Sequence, residues 1–168
     1  MFSVRSNPQL NKDSFNFNEN GAYPYFTRTC QNNGINGYVD YLDEEHKIRG
    51  NSIAVGMLAM QFFYMKKDFY AGQFTKTIFP RFEGFNENLA LYFIITFNKA
   101  QKLFSSVLVR DFEKTFSNHK ITIPLDSKGD IDFAFMQTLI KAIEKLVIKD
   151  LVVWNEKKLR ATKEVIDS

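Results

Sequence analysis

The chain has 168 residues, 45% of them hydrophobic and 24% charged, a composition that suits one globular domain around one core. Eighteen Phe and seven Tyr against a single Trp point to an interior built on Phe. A net charge of +3 excludes a polycation, and a lone cysteine beside two histidines excludes an internal disulfide and leaves too few soft ligands for structural zinc. No apolar run approaches the roughly 18 residues of a membrane span, and Met1 to Lys12 lacks the layout of a signal peptide, so a cytoplasmic protein without membrane contact is expected. Cys30 reads as a buried small hydrophobe. The cationic excess sits in the middle of the chain: residues 61–130 carry 10 Lys and Arg against 7 Asp and Glu, whereas residues 1–60 carry 5 against 6.

Taken in chain order, Phe2 to Tyr25 is rich in Asn and Ser and reads as an extended opening segment with turns. The aromatic and β-branched run from Tyr25 to Cys30 predicts a strand. Two Asn-Gly pairs, Asn33-Gly34 and Asn36-Gly37, then predict a tight turn or compact loop, followed by a returning strand over Tyr38 to Leu42 and a solvated acidic turn at Asp43-Glu44-Glu45. Ile48 to Val55 and Ala59 to Tyr64 read as two strands separated by a glycine bend, and Lys66 to Gly72 as a loop. Phe74 to Pro80 alternates apolar with polar, which predicts a strand with Thr75 or Lys76 and their neighbours on one exposed face.

From Asn88 to Ser105 the spacing of Leu91, Tyr92, Ile94, Ile95, Ala100, Leu103 and Phe104 predicts a helix packed on a sheet. Ile121 to Pro124 reads as an edge strand. Asp132 is the expected N-cap of a C-terminal helix whose apolar stripe is Met136, Leu139, Ile140, Ile143, Leu146 and Val147. The β-branched run near Leu151 to Trp154, with a second cap candidate at Asp150, predicts a kink before a second helical piece to about Ile166. The expected division is therefore residues 1–131 and a helical segment 132–168.

The chemistry of common enzymes has no carrier here. The glycines are too scattered for a phosphate-binding loop, and Asn7-Pro8 is not followed by the second proline and aromatic residue of an amino-methyltransferase motif. A metal-dependent nuclease would need clustered carboxylates near a lysine, and the nearest pattern, Glu45-His46-Lys47 preceded by Asp40 and Asp43, is equally an acidic turn facing water. His119 and Ser117 have no third partner for a triad. No catalytic residue, metal site or cofactor is expected.

What remains is Thr27-Arg28-Thr29 leading into Asn32-Asn33-Gly34-Ile35-Asn36-Gly37. Arginine can grip guanine with two hydrogen bonds, Asn can pair with the adenine edge, and Thr can hold phosphate or touch a thymine methyl; the same Asn residues would also serve simply as turn formers. The ordered series Tyr23-Pro24-Tyr25-Phe26-Thr27-Arg28-Thr29, Asn32-Asn33-Gly34-Ile35, Gly37-Tyr38-Val39, Gly50-Asn51-Ser52-Ile53, Phe62-Phe63-Tyr64 and Asp68-Phe69-Tyr70-Ala71-Gly72 resembles the target-recognition domain of restriction-modification specificity subunits, of the type I and BcgI-like kinds. The likeness runs from about Phe15 to Phe135. It departs at Val55-Gly56-Met57-Leu58-Ala59, where a glycine-richer loop with a polar residue is expected.

The resemblance implies an α+β domain with a curved mixed sheet, one side of which enters the DNA major groove, and a trailing helix that docks methyltransferase subunits. Specificity subunits of this kind carry two such domains, and this chain has one. It would then either pair with a second copy through its C-terminal helices or belong to a longer polypeptide. The expected partners are double-stranded DNA, methyltransferase and endonuclease subunits, and this homodimer. Arg28, Asn32, Asn33 and Asn36, flanked by Thr27 and Thr29, are expected near base edges, and Lys66, Lys67, Thr75, Lys76, Thr77 and Arg81 near phosphates. An interaction module without DNA reading is the alternative, followed by a metal-dependent nuclease working through Glu45 and Lys47.

Overall fold

Seven strands and four α-helices run through residues 1–107 and 109–166, which a computed structural model describes, those at 161 and 163–166 by backbone alone. The strands are β1 (Phe2–Ser6), β2 (Tyr23–Phe26), β3 (Ile35–Val39), β4 (Ser52–Gly56), β5 (Gln61–Met65), β6 (Tyr70–Ala71) and β7 (Thr75–Pro80); the helices are α1 (Glu87–Lys99), α2 (Gln101–Ser105), α3 (Phe112–Asn118) and α4 (Phe133–Ile166). They divide into two compact units, Met1–Thr122 and Ile123–Ser168. The class is α+β, as expected.

In the first unit β1-β7-β4-β5 form an antiparallel sheet, and β3-β2-β6 a smaller mixed one in which β2 runs antiparallel to β3 and parallel to β6. Register assigns the faces of the larger sheet. Val4, Ile53 and Ile78 lie across from one another on the face that receives the helices, and Ala54, across from Thr77, is on the opposite face. There Ala54, with Phe63 and Phe79, packs against Phe26 and Ala71 of the smaller sheet.

Phe dominates the interior. Phe26, Phe69, Phe93, Phe97, Phe104 and Phe112 are among the largest fully buried side chains. Helix α1 starts where Asn86 accepts a hydrogen bond from the Leu89 amide at 3.2 Å, and it buries Leu89, Ala90, Phe93, Ile94 and Phe97 at three and four spacing. Phe2 of β1 meets the rings of Phe93 and Phe97 edge-on, at 4.8 and 5.6 Å between centroids. The buried stripe is thus rotated from the expected one, leaving Ile95 and Leu103 exposed.

The turn between β4 and β5 contains Met60, buried and held at φ +47°, and Gln101 of α2 donates to the Ala59 and Met60 carbonyls at 3.1 Å each. Helix and hairpin are joined by that amide.

Four local expectations are overturned, three of them by longer-range pairing. Phe2–Ser6 is a strand, because all five residues register with β7 despite a polar composition. The strand expected from Tyr25 lies instead at Tyr23–Phe26, pairing at Pro24 despite the missing amide, and Cys30 beyond it is exposed. Lys66 to Gly72 contains β6, which completes the smaller sheet. Ile121 to Pro124 forms no strand.

In the second unit, Asp126 accepts from the Lys128 and Asp130 amides at 2.8 and 3.0 Å and shapes a turn, after which Asp132 caps α4 by accepting from the Phe135 amide at 2.7 Å. Helix α4 runs 34 residues without the expected break at Asp150, a length of about 51 Å. The helix continues through Val152, Val153 and Trp154 despite their lower propensity. Met136 and Ile140 are buried, while Leu139, Ile143, Leu146 and Val147 are exposed, as are Leu151 and Trp154. Asp167 and Ser168 of the expected helical segment lie outside the described residues.

Thr75 and Thr77 are 2% and 0% exposed, and both face Asn7: its amide donates to the Thr75 hydroxyl at 3.0 Å and its carbonyl accepts from Thr77 at 2.6 Å. Replacing Asn7 by Ala strands the Thr77 hydroxyl in the interior, and we expect a loss of about 2 kcal/mol, measured as a lower midpoint in denaturant unfolding.

Candidate nucleic-acid interface

The loop after β2 is folded over the core by a close approach. The Thr27 amide donates to the Gly34 carbonyl at 2.8 Å, and Gly34 sits at φ +79° where a Cβ would fall 2.2 Å from the buried ring of Phe26. Only glycine fits there. Asn32 and Asn33 precede it at φ +46° and +53°, a conformation Asn tolerates better than most residues. Strand β3 then begins at Ile35, so the second Asn-Gly pair belongs to a strand and not to the turn.

Not every amide in this loop faces outward unengaged. Asn32 donates to the Ile35 carbonyl at 3.1 Å, and the Thr29 hydroxyl accepts from the Gln31 amide at 3.2 Å, so both have local backbone partners. Asn33 and Asn36 are exposed and make no side-chain hydrogen bond among the described residues. Thr27, Arg28, Thr29 and Asn36 meet Leu10, Lys12 and Gln73 around an open cleft of about 460 Å³. Asn33 does not line it.

Both cations of this cleft rest on rings: Lys12 Nζ lies 5.1 Å from the Phe17 centroid, and the Arg28 guanidinium carbon 5.4 Å from that of Phe74. Among the described residues no carboxylate forms an ion pair with Arg28. Gly56, at the end of β4, lets that strand come against the Arg28 backbone: a Cβ there would be 3.1 Å from the Arg28 Cα. The Val55-Gly56-Met57 departure in sequence therefore sits directly beneath Arg28.

A second cluster of cations stands elsewhere. Lys66, Lys67 and Arg81 line a cleft of about 620 Å³ with Arg49, Asp68 and Glu83. Arg49, Pro80 and Arg81 also line a groove of about 1060 Å³, which adds Arg5, Lys47, Glu45 and Glu113. Arg5 and Arg49 each hold a guanidinium 5.6 Å from the Phe79 ring centroid. Neither arginine stood out in the sequence, because nothing local signals that residues so far apart converge on one ring. Lys66 has a long contact of 3.8 Å to Glu87, both side chains being solvent-exposed, so solvent screens the pair and leaves the lysine available.

Strand β7 separates the two clusters. Gly72 and Gln73 just before it line the Arg28 cleft, whereas Pro80 and Arg81 at its far end line the other, and a six-residue strand spans about 17 Å. The expectation of an exposed face at Thr75, Lys76 and Thr77 is overturned. Both faces of β7 are covered, the threonines by Asn7 and the smaller sheet, while Lys76 is 5% exposed and donates to the Ser6 hydroxyl at 2.7 Å. None of the three is open to a phosphate.

Two carboxylates of the acidic stretch have local partners. Asp43 accepts from the His46 amide at 2.7 Å and lies 2.8 Å from its Nδ1, and those contacts hold its carboxyl below the usual range. Glu44 is likewise lowered by a hydrogen bond from Lys47, which is correspondingly raised. Among the described residues no three His, Cys, Asp or Glu side chains gather as a metal site. No described helix is long and apolar enough to cross a membrane.

Residues 1–152 match the family model of the type I restriction modification DNA specificity domain. The chain belongs to this family. Among solved structures, the HsdS subunit from Thermoanaerobacter tengcongensis aligns with a TM-score of 0.58 at 11% identity, over 88% of this chain and 36% of that one. The type I restriction-modification S subunit from M. genitalium aligns at 0.47 and 16% identity, over 67% of this chain and 30% of that one. The first of these likenesses shows that the specificity-domain fold is shared, and the chain spans about a third of the length of either protein. No curated protein matches.

The two clusters should behave differently on DNA. Arg49→Ala removes a cation remote from the Arg28 cleft, and we expect weaker binding to all duplexes alike, with the slope of log affinity against log salt reduced by about 1. A titration series in salt measures it.

Proposed function

We propose that residues 1–131 read one segment of a DNA target and that residues 132–168 join the chain to its partners, so that it works as a specificity subunit, or half subunit, of a restriction-modification system. In this reading it has no catalytic centre of its own and directs methyltransferase and endonuclease subunits to their site. Its place of action is the cytoplasm.

The observation that carries the reading is the Arg28 cleft in a chain of the DNA specificity family. Thr27, Arg28 and Asn36 border a concavity open to solvent, and among the described residues no side-chain hydrogen bond engages the Arg28 donors or the Asn36 amide. Hydrogen-bonding groups so arranged suit base edges, where one two-point contact discriminates by about 1 to 3 kcal/mol. Asn33 is a further base-edge candidate, and the groove of Arg49, Arg81, Lys66 and Lys67 suits phosphates. With a net charge of only +3, the chain alone binds weakly and gains affinity when methyltransferase subunits close around the duplex.

Pairing of two copies through α4 would supply a second recognition domain. The exposed apolar side chains Leu146, Leu151 and Trp154 support this, since single residues of that size are seldom left to water in series.

Three outcomes test the proposal. Transplanting residues 1–131 into a specificity subunit of known target should change the methylated sequence, read by genome-wide methylation mapping; an unchanged pattern would leave an assembly module as the reading. Arg28→Ala should relax sequence preference more than it lowers nonspecific binding, in competition titrations with specific and random duplexes. The double substitution Leu146→Asp and Leu151→Asp should convert a dimer to a monomer in sedimentation.

A further inference from the structure

Phe74 is the residue whose conformation the fold least explains. It stands at φ +57°, a region that a bulky side chain seldom occupies, and its ring is 39% exposed although it directly precedes a buried strand. The local backbone is fixed, since its carbonyl accepts from the Met57 amide at 2.9 Å. What the unusual φ achieves is to turn the ring toward Arg28, whose guanidinium carbon lies 5.4 Å from its centroid. Strain held in place beside a solvent-facing cleft is the pattern of a functional position.

We propose that Phe74 is a positioning residue that orients the Arg28 fork for two-point recognition of a guanine. This rests on the DNA-reading function proposed above. A guanidinium held within cation–π reach of an aromatic ring is anchored there by the ring's negative face, so it needs no carboxylate to restrict it. Gly56 completes the arrangement by letting β4 come against the Arg28 backbone. The donors are matched by the O6 and N7 acceptors that guanine presents in the major groove. The target therefore contains a G·C pair at the position facing Arg28.

The test uses the chain assembled with the methyltransferase subunit of its own system and a random duplex library. The wild-type complex should enrich a sequence containing an invariant G·C pair. Phe74→Ala and Arg28→Lys should each lower the preference for that pair about tenfold while leaving the other positions unchanged, and Phe74→Tyr, which keeps the ring, should restore it. Replacing that guanine by 7-deazaguanine should weaken wild-type binding and have no further effect on Arg28→Ala, which has no donor left for N7. Should Phe74→Ala melt before binding is read, Phe74→Leu serves with the same expectation, because it keeps the apolar bulk without the π face. A wild-type complex that enriches no sequence overturns the DNA-reading function itself. A selective complex in which no G·C pair responds to loss of the Phe74 ring, or in which all positions weaken together, overturns the Phe74 assignment alone.

Discussion

Burial of β7 on both faces is the constraint from which the rest of the first unit follows. The strand lies between β1 and β4, with Ile78 toward the helices and Thr77 toward the smaller sheet. Because its middle is enclosed, only its ends are open to chemistry, and each end has its own cluster of cations. At one end the chain turns through Phe74 beneath Arg28, and at the other it emerges as Arg81 beside Arg49. The separation of a hydrogen-bonding cleft from a cationic groove is thus a property of the sheet and not of the loops.

The same enclosure explains why the two clusters differ in character. Arg5 and Arg49 share the Phe79 ring in a wide groove that Lys47, Glu45 and Glu113 also line, which suits diffuse attraction to a polyanion. Arg28 has the Phe74 ring to itself. Two cations crowded on one ring in an open groove act as a diffuse charge, whereas a single planar fork anchored on its own ring can be directional.

Elements that rest on their own periodicity were legible in the sequence: β4, β5 and β7 as strands, α1 as a helix, and Asp132 as the cap of α4. Elements that exist only through a distant partner were not. Phe2–Ser6 has only Phe2 and Val4 as apolar residues among three polar ones and becomes a strand through its pairing with β7, whereas Ile121 to Pro124 has the composition of a strand and forms none. The alternation in Thr75-Lys76-Thr77 suggested one wet face, and it misled because Asn7, near the chain start, supplies buried hydrogen bonds to both threonines. In the candidate interface, Arg28 and Asn36 could be picked by residue type, but Arg5 and Arg49 could not, since their meeting place is made by tertiary folding.

The turn joining β4 to β5 bears on how the protein comes to be assembled. Met60 occupies a left-handed conformation that glycine would adopt without cost, and the amide steadying it arrives from Gln101, 41 residues later. The turn is therefore expected to be completed only once the second helix is in place, which ties closure of the β4–β5 hairpin to a contact far away in sequence.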